Sequence, residues 1–324
     1  MFKNSSLFNE ASILKTPKNI PLQILIFIAV FIVIAIAESI LSCIYVLPAM
    51  FNYLADNNVS VSDSNYMDTV LKFQSDTKVM IVSLFSTISA TVITMVYCRF
   101  IEGRPLSSMG IRKKNLASHY FFGVLTGLVL MSAIVALEVA FGGIKISSFS
   151  FKLNYGFFFL YLFGFFFQGM SEEFIFRGYL MNSIGGCGKP VAAIIISSCA
   201  FSVAHLLNPG VSPLAVFNLF LFAAFASLWI LASDDIWGTC GIHSMWNFAQ
   251  GNIFGISVSG TGSGEALFSS SSVTSKNFLN GGSFGIEGGI VTTIILIAAI
   301  GGVLFYIKNK KPQLLCVAKT PAIS

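Results

Sequence analysis

The sequence predicts an all-α, polytopic transmembrane helix bundle of about eight spans. Apolar residues make up 55% of the 324-residue chain and charged residues only 10%, against roughly 25% charged in a soluble domain. The apolar residues fall in runs close to the ~20 that a helix needs to cross hydrocarbon. Lipid leaves free backbone groups unsatisfied, so only helices and closed barrels can span it. The runs lack the strict alternation of a barrel strand, which leaves helices.

Taken in order, the first run covers 21–50. It contains Ala35-Ile36-Ala37, which resembles a signal-peptide cleavage site. The run is far longer than the roughly 7–15 residues of a signal-peptide core, so it reads as a retained span. The others are 79–98, 119–141, 154–184, 190–207, 211–232, 236–254 and 285–307. Polar motifs interrupt the fourth and seventh, so a plain hydropathy scan undercounts them. The chain then divides into a cytoplasmic tail (1–20), three N-terminal spans (21–153) and a helical core that carries the motifs (154–254). A Gly/Ser-rich segment, 255–284, reads as a flexible outer loop. The last span and a basic cytoplasmic tail occupy 285–324.

Charge sets the expected orientation. With eight spans, 14 of the 19 Lys and Arg residues fall on one side of the membrane. They are Lys3, Lys15 and Lys18; Arg99, Arg104, Arg112, Lys113 and Lys114; Arg177 and Lys189; and Lys308, Lys310, Lys311 and Lys319. The positive-inside rule makes that side cytoplasmic, with both termini on it and the plasma membrane as the expected location. The net charge of +5 is thus read as topology. No aromatic-interleaved basic patch suggests a nucleic-acid partner. The partners expected are the lipid bilayer and a membrane-associated protein or peptide. Six cysteines without a C-x-x-C pair read as small apolar packing residues. No internal repeat is apparent, which weakens a transporter built from two similar halves.

The informative residues are polar groups inside the runs. Glu172-Glu173-Phe174-Ile175-Phe176-Arg177 is followed by Phe201 to His205, and then by His243 to Asn247. Ionisable groups in hydrocarbon are costly and tend to be kept for a function. Glu, His and Asn are also residue types that activate water and stabilise an oxyanion. Glu172 lies 14 residues before the turn at Gly186, and His205 lies 15 residues after Pro190. At 1.5 Å per residue both stand roughly 21–22 Å above the same turn. His243 and Asn247 share one helix face at i,i+4, and Glu173 and Arg177 are an i,i+4 pair in the favourable order. Glu172 is rotated about 100° from Glu173. The simplest division pairs Glu173 with Arg177 and leaves Glu172 free for chemistry.

The ordered set E-E-x-x-x-R, F-x-x-x-H and H-x-x-x-N resembles the CPBP family of intramembrane proteases, also called the CAAX protease and bacteriocin-processing, or Abi, family. The resemblance covers roughly 150–255, about a third of the chain. It implies a catalytic core in which Glu172, beside His205, activates the attacking water. It also implies that His243 and Asn247 stabilise the oxyanion while Glu173 and Arg177 support the site. The substrate implied is a membrane-associated or lipidated protein or peptide. The rival is a non-catalytic or transport-type protein, such as an immunity protein, that uses the cluster for a proton or ligand.

Zinc is possible, since Glu172, His205 and His243 are three ligands of suitable type. The chain lacks H-E-x-x-H, in which a separate Glu serves as base. Only Glu173 would remain for that role, and Arg177 occupies it. A metal-free mechanism is therefore favoured.

Four other features carry expectations. Glu38, deep in the first span, makes a buried hydrogen bond, lines a cavity with the motif residues, or marks a misplaced span boundary. Glu138 and Glu287, near span ends, are expected to reach water. His119 reads as interfacial. Gly123 to Gly127 forms a G-x-x-x-G that suits close helix contact within the chain.

Overall fold

In the computed structural model, residues 1–315 are described, apart from Phe151 and Ser263. Residues 316–324, which include Cys316 and Lys319, lie outside the described residues.

Helical stretches stand at all eight predicted positions. A short helix, α1 (Ser6–Ala11), precedes α2 (Ile20–Asp56). Pro21 opens α2, and the Asn19 side chain accepts a bond from the Leu22 N–H, the usual N-cap arrangement. After α3 (Tyr66–Gln74), helices α4 (Thr77–Ser86) and α5 (Ile88–Val96) run on through a π turn as one path, Thr77–Ile101. Asp76 caps that path by accepting from the N–H groups of Lys78 and Val79. Next come α6 (Leu116–Ala140) and α7 (Tyr155–Glu173). A π-helical stretch, Phe174–Met181, carries α7 on into α8 (Asn182–Gly186). The chain returns as α9 (Pro190–Ala204), α10 (Pro213–Ser233) and α11 (Trp237–Phe248), which ends in a π turn, Ala249–Ile253. It closes with α12 (Asn277–Asn280) and α13 (Ile290–Lys310).

Five of these stretches are long and apolar enough to cross a membrane: Ile20–Asp56, Thr77–Ile101, Leu116–Ala140, Pro213–Ser233 and Ile290–Lys310. The other three are the ones that bear the motifs. Helix α9 is apolar but has only 15 residues, and α7 and α11 carry the polar groups themselves. The protein is an integral membrane protein with an all-α bundle fold.

Helix α11 sits against both α6 and α7, while α9 packs on α10 and α10 on α13. Glycines set the closest approach. A methyl group added at Gly123 or Gly127 of α6 would strike the carbonyl of Gly238 or Ile242 on α11. The expected role of the G-x-x-x-G is thus seen, with its partner in the same chain.

Two segments hold more structure than the sequence suggests. Segment 255–284 is not a featureless loop. Strand β1 (Ile144–Phe149) pairs antiparallel with β2 (Phe268–Ser272), with Ile144 opposite Ser272 and an irregularity between Ile146 and Ser148. Its glycines serve turns rather than freedom: Gly260 has φ 85°, which a side chain would strain, and its N–H donates to Phe284 O at 2.9 Å. Residues 1–20, expected as a cytoplasmic tail, are docked on the bundle. Leu7, Phe8 and Ala11 of α1 are buried, and Phe8 and Ala11 lie against Gly185 and Gly186. Ser6 donates to Asp234, and Glu10 pairs with Arg112 at 2.8 Å.

Candidate active site

The motif helices bring the three predicted elements to one cavity of about 640 Å³. Glu172 is the penultimate residue of α7 and His205 follows the last turn of α9, and the two meet at one level, as the depth argument expects. Glu172 Oε2 lies 3.9 Å from His205 Nε2 and 3.7 Å from His243 Nε2. Both separations exceed a hydrogen bond and suit a bridging water. Oε2 is buried and makes no hydrogen bond within the chain.

The far side of each ring is held. His205 Nδ1 lies 2.8 Å from the Phe201 carbonyl, and His243 Nδ1 lies 2.8 Å from Glu173 Oε1. A carbonyl and a carboxylate only accept, so both Nδ1 atoms carry the proton. In its neutral form each ring turns an Nε2 lone pair toward Glu172. Three acceptors so arranged would be satisfied by a donor or a cation between them.

Glu173 has a double task. Besides holding His243, it lies 3.1 Å from the Arg177 guanidinium, and both side chains are fully buried. None of the Arg177 N–H groups is aligned for a hydrogen bond, so the pair attracts through charge. The guanidinium sits over the Phe201 ring at 4.6 Å, a cation–π arrangement. The expected Glu173–Arg177 pairing is therefore present.

Gln168 escaped the sequence reading. It donates to Glu172 Oε1, and its own carbonyl accepts from Asn247 Nδ2 at 2.8 Å. A polar residue one turn before Glu172 in a Phe-rich helix was the signal. One of the two Asn247 Nδ2–H donors is engaged by Gln168. Both His243 and Asn247 line the cavity.

The remaining expectations divide. Glu38 lines the cavity on α2, the second of its three readings. Glu138 and Glu287 do not reach water. Glu138 is fully buried, with neither carboxylate oxygen hydrogen-bonded. Glu287 is 8% exposed. Trp246 Nε1 donates to it at 2.9 Å and Ser259 N at 2.8 Å. Both glutamates are covered by the ordered outer segments, which their nearness to span ends did not reveal. His119 is half-buried beside Asp235 at the end of the bundle, as an interfacial residue should be. Among the described residues all cysteines are free thiols.

For zinc, the donor types of Glu172, His205 and His243 fit, and both rings show the Nδ1 support usual for metal-bound histidine. As placed, no group of three His, Cys, Asp or Glu among the described residues is close enough to hold an ion. The 3.7 and 3.9 Å separations exceed the roughly 3.3 Å edge of a zinc tetrahedron with ~2.0–2.1 Å bonds. Closure by a few tenths of an ångström would be needed.

Residues 154–249 match the type II CAAX prenyl endopeptidase family, described as Rce1-like. The motif core is Rce1-like. The match begins at the cap of α7 and ends just past α11, so Glu172, Glu173, Arg177, His205, His243 and Asn247 all lie within the Rce1-like segment. At the family level the motif core is similar to that of a CAAX-type intramembrane protease. No curated protein matches the chain.

Proposed function

We propose that the protein is an intramembrane endopeptidase that hydrolyses a peptide bond of a membrane-associated or lipidated protein or peptide. The convergence of His205 Nε2 and His243 Nε2 on Glu172 Oε2 carries this reading. It supports a water held among three acceptors, with Glu172 as the base. The water oxygen attacks the carbonyl carbon of the scissile bond while its proton passes to Glu172. His205 orients the water.

The developing oxyanion needs donors. His243 can donate through Nε2 only as an imidazolium, for which Glu173 is the counter-ion. Asn247 can donate through the Nδ2–H that Gln168 does not use. Glu172 then hands its proton to the departing amine as the C–N bond breaks, giving a carboxylic acid and an amine.

The acceptor-only trio also favours a second reading, in which Glu172, His205 and His243 hold zinc. A zinc ion there would act as a Lewis acid on the same water. We also infer that the membrane is the plasma membrane and, from the distribution of Lys and Arg, that both termini are cytoplasmic.

The test is cleavage of a membrane-anchored reporter peptide by purified protein, with Glu172→Gln as control and metal analysis of the same preparation. Cleavage by the unsubstituted chain alone supports the protease. Stoichiometric zinc, with activity lost on chelation and restored by zinc, moves the mechanism to the second reading. Tight peptide binding without cleavage favours the binding or transport rival.

A further inference from the structure

The cavity has a mouth and a floor, and they face opposite sides of the bundle. From the motif residues its lining runs to Ser75, Pro209, Thr261 and Gly262. Ser75 precedes α4, Pro209 joins α9 to α10, and Thr261 and Gly262 follow α11. All belong to connections at one end of the bundle. From the opposite connections, 102–115, 187–189 and 234–236, no residue lines it.

Beyond the motif the bundle is solid. Every residue from Glu173 to Gly186 is buried. Phe176 stands edge-on to Phe201 at 5.3 Å, and Phe27 of α2 packs on both Phe176 and Tyr179. Tyr97 closes on Tyr179 at 4.9 Å. Beneath them the fully buried pair Glu102–Arg104 bonds to Ser183, and α1 lies across Gly185 and Gly186. A peptide arriving from that end would have to unpack a dry, close-packed interior.

The solid end is also the end with the Lys and Arg excess, which marks the cytoplasm. We propose that the cavity is entered from the outer, non-cytoplasmic face. On the endopeptidase reading above, on which the word substrate rests, the substrate is then the outward-facing, membrane-adjacent segment of an exported or anchored polypeptide. A cytoplasmic chain end would meet the sealed side. The direction of opening itself stands on the lining, the burial and the Lys and Arg distribution, and not on the protease reading.

The experiment is side-specific labelling of the full chain with a charged, membrane-impermeant maleimide, in right-side-out and in inverted vesicles. Each variant is read against the unsubstituted chain. Ala35→Cys on α2 and Ala204→Cys beside His205 probe the cavity, Thr261→Cys the mouth and Lys113→Cys the closed end. The first three should react several-fold faster in right-side-out vesicles, and Lys113→Cys several-fold faster in inverted ones. Modification of both cavity cysteines mainly from the Lys113 side would overturn the proposal. So would their silence from either side while Thr261→Cys and Lys113→Cys report opposite faces, or a reversal of those two. Labelling needs no turnover, so failure of the protease reading would show only in the reporter assay.

Discussion

Glu172 and Glu173 are adjacent in sequence and meet different partners. Glu172 turns its free oxygen to two imidazoles, while Glu173 is fully buried between His243 and Arg177. Glu172→Gln keeps the shape and the Gln168 contact but removes the base. It should leave less than about a tenth of wild-type cleavage, since general bases contribute 10²–10⁴-fold, with the unfolding midpoint unchanged in detergent. Glu173→Gln should act the other way round, on stability first. It strands the Arg177 charge in the interior, and breaking a buried pair costs roughly 3–5 kcal/mol. A clear drop in the unfolding midpoint checks this, and the double change Glu173→Leu with Arg177→Met should recover much of it. The separate duties of the two glutamates were legible from their spacing to Arg177. The tie from Glu173 to His243 was not, because it joins residues 70 apart and depends on which ring nitrogen faces which helix. Gln168 was missed because an amide in an apolar helix carries less cost than a charge and draws less notice.

At the scale of the element, the bundle is set by how closely α6 and α11 can approach. Gly123 and Gly127 bring the two backbones together, and α11 carries His243 and Asn247. Gly127→Ala places a methyl on the Ile242 carbonyl, which cannot swing aside as a side chain would. It should cost about 1–3 kcal/mol, the usual range for overpacking, and lower cleavage by shifting α11. Gly302→Ala on α13, which meets nothing within 4 Å, is the control and should leave both unchanged. The G-x-x-x-G could be read directly, since small residues at that spacing permit close helix contact. The outer segments could not. Ser- and Gly-rich composition suggests freedom, yet β2 finds its partner in β1, more than a hundred residues earlier, and Glu287 gathers Trp246 and Ser259. Those bonds are long-range and leave no local pattern.

Across the whole molecule, one end is sealed by α1, which docks by charge as well as by Phe8. Burial works to raise the Glu10 carboxyl, but hydrogen bonds from Arg112 and Ser107, with the Arg112 charge, outweigh it and hold Glu10 below its ordinary value of 4.5. A depressed carboxyl stabilises the docked form above its unfolded pKa, and that contribution is lost as the pH falls through the lower, folded value. Protease nicking of 1–20 should therefore rise as the pH drops through and below 4.5, and Glu10→Gln should nick readily at neutral pH with a flatter profile. The eight-span plan was legible because apolar length is a strong constraint in lipid. The docked α1 was not, since six residues of mixed polarity give no periodic signal. The π-helical stretch Phe174–Met181 has a consequence for chain length. A π turn holds more residues than an α turn, so removing one residue there would let an ordinary helix close. The α turns on either side would keep about their present register, because the wide turn had absorbed the extra residue. The residues of the wide turn itself would lose their present directions, Arg177 over Phe201 and Tyr179 against Tyr97 among them. The count of residues between Glu173 and Gly186 thus sets what stands beneath the two glutamates rather than where they point.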